Sequence, residues 1–392
     1  MRIRILPLLL GIIISLTTIG QESGEKKLVF KGYLKNMGSF NYFNNDLWIE
    51  DLTHNRLNLA WYPNKNFSAF VEFRNRILVG DFVSDISNYN QIVDSNNDYF
   101  DLSANLVDSK SALLNVMADR AYIQWNKNDW EIKLGRQRIN WGVNLAWNPN
   151  DWFNAYSFFD FDYEERPGSD AIRISKYTGV ASSFEVAAKI ADDVDHFVGA
   201  AMWRINRWGY DMQFLAGMTQ GDLSLGTGWA GNLGQAGFKG ELSYFIPVVN
   251  TSVNQSYDYL FIGAFSVDYS FPNSLYLNGS LMYNSIAEVD PVFGFDFAGA
   301  RPGNFTVRNI SNYRWSSFIQ SSYQLTPIFY GGLSLIAYSG TNAFFINPSI
   351  SYSLKQNLDL NLVGQLFFDE SPITGDYGSV LRSGFVRLKW SF

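Results

Sequence analysis

The sequence has no cysteine, only two histidines and few charges. Without cysteine there is neither a disulfide framework nor a thiolate metal site. With two histidines, catalysis that needs an imidazole base has only His54 and His196 to draw on, and neither sits in a recognisable motif. No histidine pair stands at zinc-ligand spacing, and the Asp-rich stretches lack EF-hand spacing, so no cofactor or metal is expected. Asp, Glu, Lys and Arg make up only 17% of the chain, against ~25% in an ordinary soluble domain. The net charge of −7 argues against a nucleic-acid partner. Beyond the first twenty positions there is no apolar run of helix-spanning length.

What the chain does have is aromatic surface: 12 Trp, 22 Tyr and 32 Phe, 17% of all residues, with 32 Gly. A chain poor in charge and rich in rings suits a lipid-facing wall with interfacial aromatic belts. The first residues read as a secretory leader. Arg2 and Arg4 form a positive start, 5–13 is apolar apart from Pro7 and Gly11, and Thr18 and Gly20 are small residues before a cleavage point at Gln21. This divides the chain into a signal peptide, 1–20, and one domain, 21–392.

The governing period is two. In 53–62, Leu57, Leu59 and Trp61 share one face and His54, Arg56 and Asn58 the other. The same alternation recurs over 28–43, 67–79, 117–126, 130–139, 170–178, 182–190, 197–206, 210–219, 222–231, 235–246, 258–271, 274–285, 313–325, 328–338, 343–354, 358–368 and 383–392. The expected fold is therefore all-β: a transmembrane antiparallel barrel of about 18 strands, with 16 as the alternative count. Connections alternate in length as a barrel demands. Every second one is a short turn, such as 127–129, and the long ones, 80–116, 140–169, 286–312 and 369–382, all fall at the opposite end. A soluble sandwich would need a polar outer face, and no fixed repeat suggests a propeller or solenoid.

Strand parity assigns an inward-facing basic ladder: Lys31, Lys35, Arg56, Arg74, Arg76, Arg120, Lys133, Arg173, Arg387 and Lys389, opposed on these strands by Glu72 and Glu131. The far wall is nearly neutral, with Ser266, Asn278, Ser280, Gln320, Ser322, Asn347, Ser349, Ser351, Asn361 and Gln365, plus Asp268 and Asp359. Arg136 and Arg138 join the ladder if a bulge at Gly135 turns them inward. Fixed cations in a confined pore favour anions. The competing reading pairs these cations with acids of the loops, six Asp between Asp81 and Asp108 and a second cluster from Asp151 to Asp170. The aromatic stretch 140–169, with Trp147, Trp152, Phe153, Tyr156, Phe158 and Phe159, is expected to fold into the mouth as a constriction, or else to serve as a partner surface. Gly226–Gly231 follows no phosphate-loop pattern and reads as strand or turn glycines.

Two resemblances add to this. Gly135-Arg-Gln-Arg-Ile-Asn-Trp-Gly142, followed by Asn148-Pro-Asn-Asp-Trp-Phe153, resembles a motif of alginate-export-type and related porin-like barrels. It implies a porin-like barrel with an arginine-bearing strand before a long loop. The last strand, with Trp390 and a terminal Phe392, resembles the segment that outer-membrane barrels present to the barrel-assembly machinery. The leading expectation is a passive diffusion channel in the outer membrane of a Gram-negative cell, for small hydrophilic, anionic or sugar-like solutes. The few residues between the leader and the first strand leave no room for a plug domain. The expected partners are outer-membrane lipid, the assembly machinery and a small-molecule solute, with a homo-oligomer or membrane-protein partner left open. The alternatives are an accessory barrel with an occluded lumen and, more remotely, a barrel-embedded hydrolase.

Overall fold

The computed structural model describes residues 27–43, 46–94, 98–162, 164–252, 254–255, 257–286, 305–311, 313–340, 342–370 and 375–392. The leader read over 1–20 lies outside the described residues. The strands are β1 (Leu28–Phe43), β2 (Asp46–Asn64), β3 (Phe67–Gly80), β4 (Ser103–Asp108), β5 (Leu113–Lys127), β6 (Trp130–Gln137), β7 (Ser169–Gly179), β8 (Ser182–Lys189), β9 (Val198–Arg207) and β10 (Tyr210–Thr219). They continue as β11 (Asp222–Leu233), β12 (Ala236–Pro247), β13 (Leu260–Ser270), β14 (Leu275–Asn284), β15 (Trp315–Thr326), β16 (Phe329–Tyr338), β17 (Phe344–Lys355), β18 (Leu358–Glu370) and β19 (Tyr377–Ser391).

Eighteen of these close an antiparallel ring. β19 returns to β1, from Tyr33↔Ser391 to Tyr42↔Arg382. The terminal residue completes the seam: the amides of Gly32 and Phe392 each donate to the other's carbonyl, and the Phe30 and Phe392 rings stack at 5.9 Å. Closure leaves no open edge, which is what a sheet in lipid requires. β4 stands outside the ring and pairs only with the outer part of β5.

Burial runs inside out. On β1, Tyr33, Lys35, Met37, Ser39 and Asn41 are buried, whereas Leu34, Phe40 and Tyr42 are exposed. The same alternation around the ring turns apolar side chains outward, where a bilayer, not water, must cover them. The long connections gather at one end and tight turns at the other; Asn128 and Gly209 supply positive φ in two of those turns.

Three boundaries differ from the sequence reading. β2 begins at Asp46 instead of 53, because the acids Asp46, Glu50 and Asp51 mask an alternation that in fact continues to the Phe43↔Asp46 pair. His54 is therefore mid-strand. β5 and β19 start earlier, at Leu113 and Tyr377. The connection 80–116 is not irregular throughout: it forms α1 (Asp81–Asp85), α2 (Tyr89–Val93) and β4.

Candidate functional site

The connection between β6 and β7 folds into the lumen and touches most of the wall. Trp147, Trp152 and Phe153 are buried, and Trp141 is 2% exposed. Trp141 Nε1 donates to Glu185 on β8, and its carbonyl accepts from Gln213 on β10. Glu241 on β12, 0% exposed, gathers three loop amides, those of Val143 at 2.6 Å and of Asn144 and Asn150 each at 2.9 Å. Trp152 Nε1 donates to Ser243 at 3.0 Å. Trp147 and Phe158 both meet Phe318 on β15 edge to face, and Phe159 meets Phe345 on β17. Tyr156 stays within the loop, between Asn148 and the Leu145 carbonyl.

The seat for this loop is built into the strands. Along β13, running down from the long-loop end, the inward residues are Leu260, Ile262, Ala264, Ser266 and Asp268. On β15 they are Ser316, Phe318, Gln320 and Ser322, and on β17 Phe345, Asn347, Ser349 and Ser351. The far wall is thus two-tiered: apolar beside the loop and small and polar below it, where the sequence suggested one neutral lining. Phe318, Phe345, Leu260 and Ile262 are fully buried, while Gln320, Ser322, Ser349 and Ser351 are only half-buried. On β11, a Cβ at Gly226 would fall 2.8 Å from Asn150 Oδ1, and one at Gly228 would fall 2.9 Å from Gln213 Nε2 and 3.0 Å from Asn150 Nδ2. These two glycines leave the room into which Asn150 docks.

The second half of the loop crosses to the basic side. Asp162 Oδ1 lies 2.7 Å from Lys35 Nζ and 3.4 Å from Arg387. Glu164 pairs with Lys389 and Arg387. Glu165 accepts from Tyr33 and lies 3.6 Å from Arg56. Arg56, 0% exposed, also pairs with Asp119 at 2.7 Å and with Glu72. Arg120 binds Asp119 and the carbonyls of Glu165 and Arg166. Lys133 meets Glu131, and Arg173 meets Glu131 and Glu185. Arg76 donates to the Val93 carbonyl and to Asn115, and Arg74 is buried. Much of the ladder is therefore neutralised, by loop acids Asp162, Glu164 and Glu165 together with strand acids Glu72, Asp119, Glu131 and Glu185; of the six Asp in the first connection, Asp98 pairs with Lys189. Lys31 stays exposed near the short-turn end of β1. Lys239 on β12 and Arg204 on β9, at the same end, enter no ion pair among the described residues.

One ladder assignment changes. The pairing of β6 with β5 and β7 runs without a register shift through Gly135. Arg136 therefore keeps the outward parity of Leu134, opposite Asp170, which it grips at 2.9 and 2.7 Å. The Phe100 segment covers that pair, since the Phe100 amide donates to Asp170 and its carbonyl accepts from Arg136. The bulge lies in β5 instead: Glu72↔Arg120 is followed by Phe73↔Ala118, so Asp119 is the extra residue. Arg138 lies beyond the end of β6 and donates to Asn140 Oδ1. Nearby Asp151 is 1% exposed, and burial pushes its carboxyl up to about 8 although the Arg138 cation and the Trp141 amide pull it down.

His54 is 0% exposed, edge-on to Tyr33 and 3.8 Å from Asp162. His196 lies in the exposed β8–β9 connection, 2.7 Å from Asp193 Oδ1, whose carboxyl this contact pulls down.

No family model matches the chain, and no curated protein sequence does. Solved structures match its fold over nearly their whole length. Against OccAB4 of Acinetobacter baumannii the identity is 11% and the TM-score 0.58, covering 95% of this chain and 100% of the other. Against OccK11 (OpdR) of Pseudomonas aeruginosa the values are 9%, 0.57, 93% and 96%. Against OpdL of Pseudomonas aeruginosa they are 8%, 0.58, 94% and 99%. The chain is similar to these proteins in fold, with its own 18 strands closed in an antiparallel barrel.

Proposed function

We propose that the chain is an outer-membrane channel for passive diffusion of small hydrophilic, anionic or sugar-like solutes, with the 140–169 loop as its constriction. The observation that carries this is the two-tiered lumen. The loop narrows the tier near the long-loop end, and below it a polar tier of Gln320, Ser322, Ser349 and Ser351 stays partly accessible. Lys31, Arg204 and Lys239 add positive charge at three points around that lower tier, against Asp211, Asp268 and Asp359. Confined fixed charge of one sign concentrates solutes of the other. The Gly135–Gly142 motif, which resembles one of alginate-export-type and related porin-like barrels, agrees with a porin-like barrel. The leader over 1–20 and the terminal Phe392 fit export and barrel assembly.

The test is a planar-bilayer recording of the refolded chain under a salt gradient. Ohmic steps with an anion-selective reversal potential are expected, moving toward cations in Lys31→Glu plus Lys239→Glu. Steps without selectivity would retain the channel and remove the anionic preference. A folded, heat-modifiable barrel that never conducts would sink the channel in favour of an accessory barrel with a closed lumen.

A further inference from the structure

The outer wall is not uniformly apolar. On β8 through β17 the outward positions hold no Asn, Asp or Glu. On β1–β3 the register rows Asn36↔Thr53, Gly38↔Asp51 and Asn55↔Asn75 bring five polar side chains together on the outward face. Asn36 Nδ2 donates to both carboxylate oxygens of Asp51, at 2.9 and 3.0 Å, and to Thr53 Oγ1 at 3.1 Å. Asn55 Nδ2 donates to the Tyr33 carbonyl, and Asn75 Nδ2 to Asn55 Oδ1.

The patch lies inside the apolar band, not at its rim. Leu34, Leu57, Leu59, Val71 and Phe73 flank it on one side, and Phe40, Ile49, Ile77 and Val79 on the other. Hydrocarbon cannot satisfy polar groups, and polar side chains on a lipid-facing wall are costly near mid-bilayer. The internal bonds leave Asn36 Oδ1, Asn75 Oδ1 and the Thr53 hydroxyl proton without a partner among the described residues. Lipid headgroups would have to pass the flanking apolar rows to reach them. Beside Asp51, a Cβ on Gly38 would meet nothing within 4 Å, a shallow notch that admits a second backbone.

We propose that this face of β1–β3 is the contact surface for a second copy of this chain, related by a two-fold axis along the membrane normal that passes through β2. Barrels in one membrane share one orientation, so a two-fold axis relating them must run along the normal. It turns β1 of one copy onto β3 of the other and sets Asn36 against Asn75 of the second copy. Each asparagine amide carries both donors and an acceptor, so the patch is complementary to itself, as an isologous contact requires. The proposal rests on the membrane-barrel reading and not on conduction.

The chain has no cysteine, so Thr53→Cys introduces the sole thiol. Reconstituted in vesicles and oxidised, this variant is expected to yield a disulfide-linked species of two chains. Leu225→Cys, outward on β11 across the ring, is expected to stay single. Adding Asn55→Leu and Asn75→Leu to Thr53→Cys should reduce cross-linking to the Leu225→Cys level, with the folded barrel still identified by heat-modifiable migration. A folded Thr53→Cys barrel that remains one chain, or that cross-links in cells to a different protein, would overturn the proposal. So would a leucine variant that cross-links as before. A barrel that cross-links but does not conduct would remove the channel reading and leave this one standing.

Discussion

Arg56 shows how charge is handled inside the barrel. Its guanidinium is fully enclosed and meets Asp119, Glu72 and Glu165. Breaking a buried pair from one side strands the remaining charge, at about 3–5 kcal/mol. Arg56→Met should therefore lower the temperature at which the barrel loses its heat-modifiable form, read on semi-native gels, because Glu72 loses its ion pair and Asp119 keeps only Arg120. A midpoint equal to the parent's would mean that water or another cation compensates. Parity placed Arg56 inside from sequence alone. Its partner Glu165 was invisible there, as was Asp162 for Lys35, 127 positions away. Which loop acid meets which strand cation depends on where the loop travels, and no local pattern encodes that path.

Among the elements, the lumen loop has both a firm anchor and a weak point. Glu241 holds three of its amides, while Asp151 is buried within it beside Arg138, with Tyr156, Arg166 and Glu241 as the other nearby ionisable groups. The Asp151 carboxyl is raised from its usual 3.8 to about 8 in the docked loop. The docked state thus holds a proton that the released state gives up. Docking is strongest below the ordinary carboxyl range and weakens as pH climbs toward about 8, by at most about 1.4 kcal/mol per pH unit. Amide exchange over 141–154, corrected for intrinsic rates, is expected to be faster at about pH 8 than at about pH 5, and the difference to shrink in Asp151→Asn. Equal protection at both values would remove Asp151 as the sensitive group. Long strands were legible because alternation repeats along each one. β4, α1 and α2 were not, since each is short, Asp-rich or polar, and β4 exists only because the outer part of β5 offers it a free edge.

For the whole molecule, the charges that matter for solutes are those left after internal pairing. Lys31, Arg204 and Lys239 face an accessible tier, so salt should screen them. The Debye length falls from about 10 Å at 0.1 M to about 3 Å at 1 M. Anion preference at a fixed gradient ratio is therefore expected to be clear in dilute salt and to fade in concentrated salt. A preference indifferent to ionic strength would assign selectivity to the loop's shape instead. The sequence by itself determined that this is a closed barrel with greasy and wet faces, because side-chain direction along a strand is local and repeats every two residues. Only the tertiary structure decided which wet-face cations stay free, where the wall bulges and what the aromatic loop rests on. Those outcomes depend on contacts between residues far apart in the chain, which form only once the ring has closed.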